Sequence, residues 1–211
     1  MQKNIYLVKF IYMKKGILLL LALSLFTSGT YASENNDLRS LFLNNKATIC
    51  GINIRTFNAK DTNGNGIIDN GEESGNFINA IERLDEIKSL GINTLHVLPI
   101  TPVGRLKALG TAGSVYAISD FWSINPQLVD KNSELSDIEQ AKKFINECHK
   151  RNIRVIIDLP SCGAYDLFLT HPELFIKDER QCSIVPTDWT DVRLLNTGNN
   201  KKRNEYVLNS H

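Results

Sequence analysis

The sequence predicts an α/β fold with a parallel sheet. Two observations carry that expectation. Short apolar runs of strand length alternate with segments of helical periodicity, in the order strand, helix, strand, helix, strand. The strands also read as almost continuously apolar, as strands buried on both faces do, and such strands join through right-handed crossovers.

Each element has its own signal. "ATICGINIRTF" (Ala47 to Phe57) is rich in β-branched and apolar residues and is expected to be a strand. "NFINAIERLDEIKSLG" places Phe77, Ile78, Ile81, Leu84, Ile87 and Leu90 at helical spacing, and Gly91 stops it. "INTLHVLPI" is a second strand, ended by Pro99, and His96 within it reads as a strand residue. A long loop with several glycines reaches Pro126. "SDIEQAKKFINECHKRN" opens on Ser136 with Glu139 three residues on, the capping-box spacing. "IRVIIDL" is a third strand, apolar until Asp158. Beyond Asp158 the periodicity fades into turns and aromatics, no fourth apolar strand is expected, and a last helix is expected near Lys202. There is no internal repeat.

The N-terminus reads differently. Lys3, Lys9, Lys14 and Lys15 precede "GILLLLALSLF" (Gly16 to Phe26), and "TSGTYA" follows, ending at Ala32. A positive start, a short apolar run and small residues before a cut are the pattern of a secretory signal. The apolar run is short of the roughly twenty residues that span a bilayer. The expected organisation is a signal peptide at 1–32, a linker at 33–46 and a catalytic-type domain at 47–211. The mature chain is then exported, periplasmic or extracellular, with no membrane partner after cleavage. Losing the four lysines leaves 20 basic against 23 acidic residues, a net charge of −3. With no basic stripe, nucleic acid is excluded as a partner. The four cysteines, Cys50, Cys148, Cys162 and Cys182, show no metal-ligand spacing, and both free thiols and one or two disulfides remain open.

One loop carries chemistry. In "DTNGNGIIDNGEE" (Asp61 to Glu73), Asp61, Asn63 and Asn65 occupy positions 1, 3 and 5 of an EF-hand-type loop. Gly66 stands at position 6, Ile67 offers its carbonyl at 7, and Asp69 and Glu72 stand at 9 and 12. Hard oxygen donors at alternate positions wrap a Ca²⁺ ion, the glycine allows the sharp turn, and Ile68 is expected to pack inward. Because a strand precedes the loop, it is expected to staple that strand to the next helix.

The segment from Arg55 to Ile100 resembles the start of the α-amylase family, glycoside hydrolase family 13, where a calcium loop, a helix and a strand ending in "P-I" follow one another. "GSVYAISDFWSINP" (Gly113 to Pro126) resembles the family's "G-Y-D-x-x-D-Y" segment, with Tyr116 at the tyrosine and Asp120 at the second acid. "AKKFINECHKRNIRVIIDL" resembles the helix and third strand leading into "D-V-V-x-N-H", with Asp158 at its aspartate. The resemblance covers roughly residues 47 to 195. It implies the N-terminal portion, about three βα units, of a (β/α)₈ barrel. It also implies an α-glucan or maltooligosaccharide substrate, and Tyr116, Asp120 and Asp158 as substrate-binding residues. Retaining chemistry uses two carboxylates about 5–5.5 Å apart, which the family places after its fourth and fifth strands. None is identified here. The expectation is a fragment of a hydrolase or transglycosidase, inactive alone and lacking a C-terminal barrel portion. The alternative is an exported, non-catalytic calcium-binding module for carbohydrate or protein.

Departures are visible. Ala117 stands at the segment's first acid, and Cys162 and Gly163 stand at the asparagine and histidine of "D-V-V-x-N-H". Asp188 and Asp191 follow a proline-containing loop rather than a strand end, and no catalytic role is assigned to them.

Overall fold

A computed structural model describes residues 38–198. The expected signal at 1–32 and the helix near Lys202 lie outside the described residues. Within them, no helix is long and apolar enough to cross a membrane.

Three parallel strands form the main sheet in the order β1-β2-β3: β1 (Ile49–Ile52), β2 (Thr94–Val97) and β3 (Arg154–Ile157). Ile49 faces Thr94, and Thr94 faces Arg154. β2 takes both sets of ladder bonds, and Thr94, Leu95 and Val97 are buried, as a strand between two partners should be. Consecutive parallel strands, joined by one crossover from β1 to β2 and another from β2 to β3, make the wall of a partial (β/α)₈ barrel.

The preceding helix α1 (Leu38–Leu43) is short and buries only Leu41. The expected first strand is shorter than predicted. Asn53 Oδ1 accepts the Arg55 N–H at 3.2 Å and starts a helical turn, α2 (Ile54–Phe57). A side-chain cap there overrides the β-branched residues Ile54 and Thr56. The expected second helix is also broken. It runs as α3 (Phe77–Ala80), a tighter 3₁₀ turn over Ile81–Arg83, and α4 (Leu84–Ser89). Asn58 Nδ2 donates to the Asn79 carbonyl at 2.7 Å and so takes the acceptor that an α-helix would offer to Arg83.

The helix α5 (Asp137–Lys150) forms as its sequence predicts, with the reciprocal Ser136–Glu139 capping box in place. Its Phe144 packs on Phe77 of α3, ring centroids 6.0 Å apart. Those two rings, with Leu84, Leu95 and Ile153, are the centre of the core between helices and sheet.

Past Asp158 the chain is more ordered than its periodicity shows. β4 (Cys162–Ala164) pairs antiparallel with β5 (Val192–Leu194) in a separate two-stranded sheet, and α6 (Tyr165–Thr170) lies between them. Leu167, Leu174, Phe175 and Leu195 form a second small core. Two cations approach the Tyr165 ring, with Lys107 Nζ 3.9 Å and Arg193 Cζ 5.0 Å from its centroid. All four cysteines are free thiols, which settles the question their spacing left open.

Candidate functional site

The carboxyl ends of parallel strands are where α/β folds build their sites. Asp158 directly follows β3, and its N–H donates to the Val97 carbonyl at 2.9 Å, so the sheet ladder fixes its backbone. Its Oδ2 accepts the Tyr116 hydroxyl at 2.9 Å. The His96 ring, on β2, brings Nε2 to 3.7 Å from the same oxygen. Tyr116 and Asp158, 42 residues apart in the chain, therefore meet at one point. Burial, then the hydrogen bond to Asp158 and its charge, holds the Tyr116 phenol above its ordinary pKa. It stays a donor at neutral pH.

Asp120 serves another contact. Its Oδ1 accepts the Trp122 N–H at 2.8 Å and its Oδ2 accepts the Ser123 hydroxyl, an Asx turn that shapes the chain before Asn125. Cys162 lies beside Tyr116 and its thiol donates to the Tyr116 carbonyl at 3.3 Å. Burial, then the nearby Asp191 and Asp158 carboxylates, pushes that thiol above its ordinary pKa. It is a protonated packing group, not a thiolate nucleophile.

Two groups near this point escape a reading of periodicity. His96 looks like any strand residue, although a polar residue inside an otherwise buried strand was a usable signal. The second is the pair Trp189 and Asp191, which share a pocket wall with Tyr116.

The acidic loop closes on itself. Lys60 and Glu73 form its neck, through an antiparallel bridge and an ion pair at 3.0 Å. Asp61 Oδ1 accepts the N–H groups of Gly64 (2.7 Å) and Asn65 (3.2 Å), and Oδ2 accepts that of Gly66 (2.6 Å). The side-chain amides of Asn63 and Asn65 both donate to Asp69 Oδ2, at 2.9 and 2.7 Å. Gly66 turns with φ +79°, as a residue at position 6 must.

Glu72 Oε1 accepts the Thr62 N–H and hydroxyl, and Oε2 accepts the Asp69 N–H at 3.0 Å. These bonds, led by the Asp69 N–H, bring the Glu72 carboxyl down to about 2. The expected inward packing of Ile68 does not occur: it is exposed, because the loop lies on the surface and has no apolar face to meet it. Among the described residues, no three of the His, Cys, Asp and Glu side chains converge as a metal cluster. A hard cation takes carboxylate, amide and backbone carbonyl oxygens alike.

Gly75 ties this loop to α2. Its N–H donates to the Arg55 carbonyl at 2.9 Å, and a Cβ placed there would stand 2.1 Å from the Ile54 carbonyl oxygen.

Comparison with known proteins agrees with the geometry. The family model for the α-amylase catalytic domain matches residues 54–161. A trehalose-6-phosphate hydrolase of Bacillus subtilis (strain 168) is 31% identical over 114 residues, 54% of this chain and 16% of that protein. A cyclomaltodextrinase of a Bacillus species is 32% identical over 84 residues, 40% of this chain and 12% of that protein. The chain thus spans less than a fifth of either relative's length. Among solved structures, an α-amylase from Lactobacillus plantarum superposes with a TM-score of 0.62 at 27% identity, over 78% of this chain and 35% of that one. A maltogenic α-amylase from Thermotoga neapolitana gives 0.58 at 27% identity, over 78% and 35%. With strand order, site position and family model in agreement, this chain belongs to the α-amylase family, glycoside hydrolase family 13.

Proposed function

We propose that this chain carries the sugar-positioning part of an α-glucan-active barrel and transfers no glycosyl group by itself. The observation that carries the reading is the 2.9 Å hydrogen bond from Tyr116 to Asp158 at the carboxyl end of β3. It fixes an aromatic ring beside a carboxylate, and pyranose recognition uses that combination. The ring covers the apolar C–H face of a sugar, and the carboxylate accepts from its hydroxyl groups. The substrate class is supported by relatives named for maltodextrin and α-glucan chemistry.

Catalysis is the other half of the reading. Retaining glycosidases need a nucleophile and an acid/base carboxylate, and the resemblance places these after a fourth and a fifth barrel strand. The described residues supply three strands to the parallel sheet. What this chain's residues do is bind and orient a ring at Tyr116 and Asp158.

The acidic loop is proposed to hold Ca²⁺. Asp61, Asn63, Asn65, the Ile67 carbonyl and Asp69 supply the oxygens, while Glu72 clasps the loop's backbone. A bound cation there would stiffen the link from α2 to α3 and supply no chemistry to the sugar. Export through residues 1–32 completes the proposal.

Calorimetry with maltotriose, together with a turnover assay on maltooligosaccharides with Ca²⁺ present, tests the reading. Binding that falls in Tyr116→Phe and Asp158→Asn, without turnover by the unaltered chain, is expected. Robust turnover by the 211-residue chain refutes the non-catalytic part. Affinity that ignores both substitutions refutes the sugar site.

A further inference from the structure

Beside the Tyr116–Asp158 pair lies a pocket of about 290 Å³, walled by Ser114, Tyr116, Cys162, Trp189, Asp191 and Val192. Its size is near the lower end for small-molecule sites, roughly 300–1,000 Å³, and suits one ring rather than a chain.

Asp191 is the unusual member. It is 3% exposed, and its Oδ2 is shut off from solvent and meets no hydrogen-bond donor. Among the described residues, Thr101 Oγ1 is the other buried side-chain oxygen in that condition. Native proteins satisfy nearly all buried polar atoms, because an unmet carboxylate oxygen opposes folding. The nearby Cys162 thiol does not meet it, since that thiol bonds the Tyr116 carbonyl at 3.3 Å. The backbone holds Asp191 in place just ahead of β5, and Val192 N–H bonds the Trp189 carbonyl at 3.5 Å.

The same wall exposes Trp189, 64% accessible, next to apolar Val192. An exposed indole face, an apolar wall and a carboxylate short of donors together describe a receptor for a ring with C–H faces and hydroxyl edges. Because Oδ2 is enclosed, it reaches a ligand in the pocket only when the carboxylate turns about its terminal torsion, which is broad and two-fold.

We propose that Trp189 and Asp191 form a subsite for one hexosyl ring adjoining Tyr116, in which Asp191 accepts hydroxyl donors and sets which sugar enters. The proposal rests on the sugar reading of Tyr116 and Asp158. It adds a specificity-determining residue that lies on the β4–β5 side of the site, beyond the parallel sheet. Asp191 needs no part in bond cleavage to do this. A ligand hydroxyl completes the hydrogen bonding that the protein leaves undone, so a ring without hydroxyls at that edge binds less well.

The test titrates the full 211-residue chain with maltotriose by calorimetry and records its Tm. Asp191→Leu keeps the side chain's branching and removes the unmet acceptor. Its affinity should fall about tenfold, the worth of one hydrogen bond to a charged acceptor, while its Tm holds or rises. Trp189→Ala should weaken binding to a similar extent with Tm unchanged. If the leucine variant fails to fold, Asp191→Asn carries the test and should lose several-fold in affinity, because it retains the shape but not the charge.

Unchanged affinity in the Asp191 and Trp189 variants, with loss in Asp158→Asn, overturns this inference and leaves the Tyr116–Asp158 reading standing. A lower Tm with unchanged affinity in Asp191→Leu assigns Asp191 to the scaffold and also overturns it. No maltotriose binding by the unaltered chain overturns both.

Discussion

Replacing Gly75 by alanine should unfasten the acidic loop from α2. The new Cβ would stand 2.1 Å from the Ile54 carbonyl oxygen and 2.8 Å from the Arg55 carbonyl carbon and oxygen. All three are backbone atoms, so no side chain can swing away. Relief from 2.1 Å to an ordinary contact of 3.4 Å needs a movement of about 1.3 Å, and that movement stretches the 2.9 Å bond from Gly75 N–H to Arg55 O. Overpacking costs typically about 1–3 kcal/mol, and the lost hydrogen bond adds about 1 kcal/mol. The total is roughly 2–4 kcal/mol. For a chain of this size, each kcal/mol moves Tm by about 2–4 °C, so the drop should be of order 4–16 °C. Gly51→Ala is the control. It makes the same chemical change in β1, where nothing stands within 4 Å of the new atom, and it should be neutral or slightly stabilising. Thermal unfolding followed by circular dichroism compares the two. A Gly75→Ala variant that melts within 2 °C of the Gly51→Ala variant would refute the steric argument.

Calorimetry should detect Ca²⁺ binding that Asp61→Ala abolishes, since that carboxylate holds three loop N–H groups as well as offering an oxygen; unchanged binding removes the loop from consideration. Glu72 has its pKa lowered from 4.5 to about 2 in the folded chain. Its contribution is therefore present above pH 4.5 and is lost as pH falls toward 2. The protection of the Thr62 and Asp69 amides, measured against their intrinsic exchange rates, should fall as pH drops across that window and lose the dependence in Glu72→Gln. Fusion of residues 1–40 to a reporter should give an exported product cut near Ala32, and a product that keeps Met13 to Ala32 contradicts it.

What could be read from the sequence was what depends on neighbours in the chain. The Ser136–Glu139 box is complete within four residues, and α5 forms where it says. β2 announces itself because the strand between two partners buries Thr94, Leu95 and Val97, with His96 the exception. α2 was hidden, because one Asn53 side-chain bond outweighs a run of strand-forming residues. The break after α3 was hidden as well, because the intruding amide comes from Asn58, 21 residues earlier. The second core was not visible either, since Leu167, Leu174, Phe175 and Leu195 share no period and meet only after β4 and β5 pair. In the site, resemblance picked out Tyr116 and Asp158, but their hydrogen bond and the approach of His96 are facts of three dimensions.

The strand register has a kinetic consequence. Ile49 pairs with Thr94, 45 residues on, and Thr94 with Arg154, 60 residues on. No strand of the main sheet can find a partner until a whole crossover has been made, and pairing across such spans is intrinsically slow. The neck of the acidic loop joins Lys60 to Glu73, only 13 residues apart. Closing it costs about 1.1 kcal/mol less chain entropy than closing β1 onto β2. Loops of this length close within microseconds or faster. The Asp61 and Glu72 turns can therefore form while β1 is still unpaired, shortening the effective span that β2 must close. The loop then acts as a nucleation aid as well as a clasp, and Ca²⁺ in the refolding buffer should raise the folding rate more than it slows unfolding.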